Sequence, residues 1–343
     1  MGITMKDVAR EAGVSVSTVS KVLNDGASIS GATKEHVREI MRRLQYQPNE
    51  QARNFARQKT NNVVFLSKLE KHTAFKNPHM FEIMCGAEEI LSTNNYNLSF
   101  KGIKEDIEAL NLVKDIVGRK SADGIIIHGS VTSKELVDLL VKSEYPHIII
   151  GRPFFKCSAC WIDINNSISG QMAAEHLTKC GYERIAFVGG PKSDEISSKR
   201  LNGFISAIHD HGYHVRDKYI KYGDYSKESG YELGIELLQE KEPPEAIICE
   251  NNQIALGVVK AINFKNKKIP EDIAIITFDD FPLSRMIDPL LTVVDIDVYD
   301  MGYQAGTILM RKIISPELHV QSYTTLPRLI VRDSTINKNL VHK

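Results

Sequence analysis

From Asn62 onward the chain alternates between two patterns of hydrophobic positions. The first is a short run of adjacent apolar residues: NNVVFLS, YNLSFKG, DGIIIHGS and HIIIGR, then RIAFVGG, YIKYGD, AIICE and DIAIITFDD. Runs of this length, rich in Val and Ile, predict buried strands. The second pattern spaces apolar residues three to four apart, over residues 78–93, 107–117 and 133–141, and predicts amphipathic helices. Strand and helix in alternation mean βαβ units, and a stretch this long makes two parallel sheets. The expected body is therefore α/β: two doubly wound parallel-sheet lobes with a cleft at the carboxyl ends of their strands, where open α/β sheets hold ligands.

The first 47 residues follow another rhythm. Thr4 and Asp7 have the spacing of a capping box, and Met5, Val8, Ala9 and Ala12 fall on one helical face that ends at Gly13. Ser15 caps a second helix with Val19, Val22 and Leu23 inward, stopped by Asn24-Asp25-Gly26. Ser30 caps a third, with Val37, Ile40, Met41 and Leu44 completing a small core. Two short helices joined through a glycine turn predict an all-α helix-turn-helix head, and a small helical bundle docked on the body is the other reading. Outside the apolar stripe, helix two presents Val16, Ser17, Thr18, Ser20 and Lys21, small groups, hydroxyls and one cation suited to approach bases and phosphates.

Charge sharpens the division. The chain as a whole has 43 basic and 43 acidic residues, but residues 1–60 carry ten basic side chains against six acidic, so a basic head precedes an acidic body. That asymmetry points to a polyanionic partner for the head alone. Five cysteines scattered over 343 residues suit a reducing compartment. The absence of a signal-like apolar segment and of any membrane-length run predicts a cytoplasmic location with no membrane partner.

MKDVAREAGVSVSTVSKVLN, followed by ISGATKEHVREIMRRLQYQPNEQARNFA, resembles the DNA-binding segment of the lactose-repressor (LacI/GalR) family of bacterial transcription regulators. The resemblance continues to LPRLIVRDST and implies a body of periplasmic-binding-protein type. It places Val16, Ser17 and Lys21 at base edges, with Thr18, Ser20 and Asn24 nearer the phosphates. Lys21 stands where many members have Arg, exchanging a bidentate guanine contact for a point charge. Residues 48–60 correspond to a hinge helix that folds on DNA, where Arg53 faces DNA and Phe55 takes the place of a leucine wedge in the minor groove. The implied domains are 1–47, 48–60 and 61–343, the last split into a first lobe (61–164 and 293–320) and a second (165–292 and 321–336), with chain crossings near Asn165, Thr292 and Gln321.

Two lines of reasoning select the cleft. Strand-end polar and aromatic residues give Arg152, Tyr225, Asn251 and Asp279. The resemblance adds Arg200 before LNGF, and His79 and Met80 of NPHMFEIMCG on the first lobe. A guanidinium, a carboxylate and an aromatic face together grip vicinal hydroxyls and cover sugar C–H groups. Asp194 stands where purine-responsive members are basic, and NPHMF, YPHIIIGRP and RIAFVGG most resemble maltose-type regulators, so a maltose-like sugar is the expected effector.

Other chemistry finds little support. CSAC (Cys157–Cys160) lacks a second ligand pair and reads as an incidental loop; Gly189-Gly190 lacks a phosphate-loop pattern; and His209, His211 and His214 read as a solvated helix end. Neither a metal, a cofactor nor a catalytic constellation is expected. The expected function is a homodimeric repressor of sugar-utilisation genes, binding a palindromic operator and a small sugar. Two rivals remain: a global regulator whose co-effector is a phosphorylated carrier protein, and a sugar-binding receptor.

Overall fold

The computed structural model describes residues 3–23, 28–46, 59–68, 79–320 and 322–336, in two compact units, 1–61 and 62–343.

In the first unit, helices α1 (Met5–Glu11), α2 (Val16–Leu23) and α3 (Gly31–Arg43) surround a core of Val8, Ala9, Ala12, Val19, Val22, Val37 and Ile40. The caps explain where each helix starts. Thr4 donates its backbone N–H to the Asp7 carboxylate at 3.0 Å; Ser15 Oγ accepts from Thr18 N–H at 3.1 Å; Ser30 Oγ accepts from Thr33 N–H at 3.2 Å. Each satisfies an N–H that the helix itself leaves unpaired. Between α1 and α2 the chain turns through Gly13 at φ +63°, a left-handed conformation that favours glycine. Arg43 of α3 closes an ion pair on Glu11 of α1.

The second unit contains two six-stranded sheets. The first has strands β1 (Asn62–Lys68), β2 (Asn97–Ile103), β3 (Gly124–His128), β4 (His147–Ile150), β5 (Trp161–Ile164) and β11 (Ser322–Thr325), in the order β11-β5-β4-β3-β1-β2. The second has β6 (Ile185–Gly189), β7 (Ile220–Tyr222), β8 (Ala246–Cys249), β9 (Ala274–Phe278), β10 (Thr292–Asp295) and β12 (Arg328–Ile330), in the order β12-β10-β9-β8-β6-β7. All pairings are parallel except β10 with β12. Strands β3, β4, β8 and β9 are buried almost throughout, because helices cover both sheet faces.

The chain crosses between lobes after Ile164, after Asp295 and after Thr325, since β10 belongs to the second sheet and β11 to the first. The last two crossings lie a few residues beyond the expected Thr292 and Gln321. Each connecting segment first adds a short strand to the sheet it is leaving: β10 pairs with β9 through Thr292 and Ile276, and β11 with β5 through Ser322 and Trp161. The second lobe therefore keeps residues 292–295, and the first keeps 322–325.

Three helix pairs pack at close range, each through facing glycines. They are α4 (His79–Thr93) with α12 (Val298–Ile314), α7 (Asn166–Lys179) with α8 (Glu195–Asp210), and α9 (Lys227–Leu238) with α10 (Asn252–Phe264). A Cβ on Gly170 of α7 would lie 1.9 Å from the Arg200 carbonyl, and one on Gly203 of α8 would lie 1.9 Å from that of Ser167. Bare backbone on both helices is what lets α8 lie against α7, and it fixes where Arg200 stands. Among the described residues no helix is long and apolar enough to cross a membrane.

Candidate functional site

On α2, Val16, Ser17 and Lys21 are exposed, Thr18 and Ser20 half-buried, and Val19 and Val22 buried. The three exposed side chains are those expected at base edges. Ser15 Oγ lies 2.8 Å from both the Ser17 and Thr18 hydroxyls, so the cap also orders the hydroxyl-rich N-terminal end of the helix. Asn24, Arg53 and Phe55, expected at DNA, lie outside the described residues, as does the hinge segment up to residue 58.

In the body, strand order locates the cleft. Within the second sheet β6 lies between β7 and β8, so the chain leaves β6 toward α8 and β8 toward α10 at the point where strand order reverses, and open α/β sheets bind ligands at such a point. Four groups meet there. Arg200, 5% exposed, donates from Nε to Asn166 Oδ1 at 3.1 Å and from Nη1 to the Glu250 carbonyl at 3.1 Å. The same Nη1 lies 3.2 Å from Glu250 Oε1, and the guanidinium covers the Phe278 ring at 4.1 Å. Glu250 is itself 1% exposed. Burial pushes its carboxyl up to about 7, with Asp194 and Asp279 adding repulsion, against the opposing pull of Arg200 and Ser197.

Asp279 follows β9 at φ +70° and is 2% exposed. Its Oδ2 lies 3.1 Å from His79 Nε2, a contact between the two lobes, and the His79 ring meets Phe281 edge-on at 4.6 Å. Burial alone would raise the Asp279 carboxyl, but His79 and Arg200 outweigh it and hold it below its ordinary value. Burial first, then His79, drives the nearby His128 imidazole down to about 4. Tyr225, after β7, has φ +68° and covers Gly190, where a Cβ would lie 2.1 Å from its ring. Its hydroxyl is pulled upward by burial and by the charges of Glu250 and Asp194. Two non-glycine residues held left-handed at strand ends of the same sheet each store on the order of 1–3 kcal/mol, a pattern found at functional sites.

Four of the seven expected cleft residues, His79, Arg200, Tyr225 and Asp279, therefore share one electrostatic environment. Arg152 lies exposed at the carboxyl end of β4, 5.6 Å from the Trp161 ring, with its backbone N–H on Asp163. Met80 is corrected: it is 7% exposed in the first-lobe core with Ile83, Ala87 and Leu91, on the stripe of α4 that faces the sheet and α12. Asn251 is half-buried, and the fold uses part of its amide. Its Oδ1 caps α10 by accepting from Ile254 N–H at 2.8 Å, and its Nδ2 donates to the Tyr225 carbonyl at 3.2 Å. Residues 250 and 166 were not expected here. The signal for Glu250 was a carboxylate closing the otherwise apolar run AIICE; Asn166 had none.

Comparison with known proteins bears on both units. Residues 4–49 match the bacterial regulatory proteins of the lacI family, and residues 174–335 match the periplasmic binding protein-like domain. The chain is 35% identical over 340 residues to catabolite control protein A of Priestia megaterium, covering 98% of this chain and 100% of that protein. The chain belongs to the lacI family. As a member it is a DNA-binding, ligand-responsive transcriptional regulator. It is also 29% identical over 334 residues to the HTH-type transcriptional repressor PurR of Haemophilus influenzae (96% and 98% covered). Among solved structures it resembles the complex of the regulator CelR with cellobiose (TM-score 0.72, 25% identity, 97% and 99% covered). The fold is shared with a lac repressor dimer bound to operator and the anti-inducer ONPF (TM-score 0.81, 22% identity, 98% and 100% covered). These relatives do not support the maltose-type likeness read from NPHMF, YPHIIIGRP and RIAFVGG. Those segments form β4, β6 and the start of α4, which build the shared scaffold as well as the cleft.

Lys21 is the one cation of α2 and lies exposed beside Val16 and Ser17. Lys21→Ala is expected to lower operator affinity by roughly 1–3 kcal/mol and to relax preference at one base pair per half-site. Gel shifts across a panel of operator variants read both effects, and an unchanged profile removes Lys21 from the interface.

Proposed function

We propose that the protein is a dimeric repressor that binds a palindromic operator through paired heads and a small sugar between the lobes of each body. One observation carries the sugar reading: Arg200, Asp279 and His79 converge at the strand ends, the last two touching across the lobes. A guanidinium and a carboxylate grip hydroxyl pairs, and Tyr225 offers an aromatic surface for C–H groups. Two neighbours fit the reading, one solved with cellobiose and one solved as a dimer on operator. A single small head makes few contacts, so a dimer on two half-sites is the geometry that gives useful affinity. Asn24, Arg53 and Phe55 complete the proposed DNA contacts, and Arg152 the rim of the sugar site.

Asp279→Ala is expected to leave operator binding intact and to weaken the sugar by roughly 10–100-fold, the worth of a buried charged hydrogen bond. Calorimetry against mono- and disaccharides, with gel shifts alongside, tests it. Normal sugar binding by the variant overturns the site.

A second reading has its own support, because the relative of 35% identity is a catabolite control protein. Control of many catabolic genes, with a phosphorylated carrier protein as co-effector, is then the regulatory logic. Operator affinity measured with the carrier in its two phosphorylation states separates the readings: a response to the phosphorylated form alone favours the second.

A further inference from the structure

We infer that Glu250 is a built-in charge filter: by neutralising Arg200 from within the protein, it makes the cleft select uncharged, hydroxyl-bearing ligands and reject sugar phosphates and other anions. The inference rests on the reading of the cleft as a sugar site and adds the class of sugar it takes.

The geometry leaves Arg200 little charge to offer. Its Nη1 faces Glu250 Oε1 at 3.2 Å and its Nε is taken by Asn166 at 3.1 Å, with both ion-pair partners shielded from solvent. An anion drawn to the guanidinium would sit within a few ångströms of the Glu250 carboxylate, so attraction and repulsion nearly cancel where solvent does little screening. The surrounding charge adds to the repulsion. Asp279 and Asp194 both act on Glu250, and Asp163 lies close enough to feel Arg200.

Unmet hydrogen-bonding capacity points the same way. Glu250 Oε2 and Asp279 Oδ1 are buried oxygens without a hydrogen-bond partner. Ionised carboxylates only accept, so what satisfies them is a donor. Sugar hydroxyls donate. The ionised phosphate group of a sugar phosphate offers acceptors alone, so where it takes the place of a hydroxyl it leaves the oxygen it faces unmet, at the cost of a buried unsatisfied group. Burial is the main reason that the Glu250 carboxyl stands at about 7, and the negative charges of Asp194 and Asp279 add to the rise.

The test uses the full chain at pH 8, where Glu250 is ionised, with glucose, cellobiose and glucose 6-phosphate as calorimetric probes. The parent is expected to bind glucose 6-phosphate at least tenfold more weakly than glucose, or not at all. Glu250→Gln keeps the shape and removes the charge, and is expected to raise glucose 6-phosphate affinity at least tenfold; adding Arg200→Ala should erase the gain. A parent that prefers the phosphate, or a Gln variant with unchanged phosphate affinity, overturns the inference. Glu250→Ala supplies a second variant if the Gln protein does not fold, and the parent titration decides by itself if neither does. Failure of the sugar reading looks different: glucose and cellobiose leave the parent untouched while the Gln variant still gains phosphate affinity.

Discussion

Arg200→Ala should cost the body about 3 kcal/mol of stability at pH 8. The substitution leaves Glu250 as a buried carboxylate without its counter-ion, and breaking such a pair typically costs roughly 3–5 kcal/mol. It also strips the Phe278 ring of the cation that covers it at 4.1 Å. The low end of the range is expected because Glu250 has an escape. With Arg200 present its carboxyl already stands at about 7, above the 4.5 of an ordinary Glu, and losing the guanidinium raises it further. A folded state that holds this proton more tightly than the unfolded chain is favoured as pH falls. The penalty should therefore be larger at pH 8 than at pH 6, shrinking as the carboxyl is neutralised. Urea melts of the parent, Arg200→Ala and Arg200→Ala/Glu250→Gln at both pH values measure it. The double variant should recover much of the loss and show no such pH dependence. Equal loss in single and double variants would mean that Arg200 contributes packing rather than charge pairing.

The same network shows which parts of the molecule were legible beforehand. Strands such as AIIC and AIITF are buried on both faces, and that condition writes an unbroken apolar run into the chain. The head was legible because its caps are local: Thr4 with Asp7, Ser15 with Thr18 and Ser30 with Thr33 are each three residues apart. The strands WIDI, TVVD, SYTT and RLI are three or four residues long and partly polar, too short for any periodicity to register. They are also where the chain passes between lobes, so the second and third crossings were placed too early.

Site residues divided by how far their partners lie along the chain. Asp279 announced itself as a carboxylate after a buried strand, but its partner His79 is two hundred residues away and on the other lobe. Glu250 meets Arg200 across fifty positions, and only the fold shows that the guanidinium is already paired. Met80 failed for the converse reason. It stands beside a cleft residue in sequence, yet helix periodicity turns it into the core, while Asn251 gives part of its amide to the cap that α10 demands.

The second large effect is expected in acid. His147 begins β4 in the first lobe at 5% exposure; its Nδ1 lies 2.7 Å from the Tyr145 carbonyl, and its Nε2 faces the Cys160 N–H at 3.4 Å. With one ring nitrogen donating and the other accepting, the ring is held neutral, and the fold must break the Cys160 contact to protonate it. Burial is the main cause that depresses its pKa from 6.5 to about 4, with Lys312 adding to it and the Tyr145 carbonyl opposing. A base whose folded pKa lies below its unfolded value contributes stability that is present above pH 6.5 and lost as pH falls toward 4. For a shift of this size the loss is about 3 kcal/mol. His128, also held near 4, acts in the same direction over the same window, while Glu250 opposes both between pH 7 and 4.5. Histidines outnumber that carboxyl, so the body should lose stability between pH 6.5 and 4. His147→Gln keeps a side chain able to donate and accept but cannot titrate. It should be less stable than the parent at pH 7.5 and should close most of that gap by pH 4.5. Thermal melts across the range decide it: parallel curves for parent and variant would show that His147 is not the group taking up the proton.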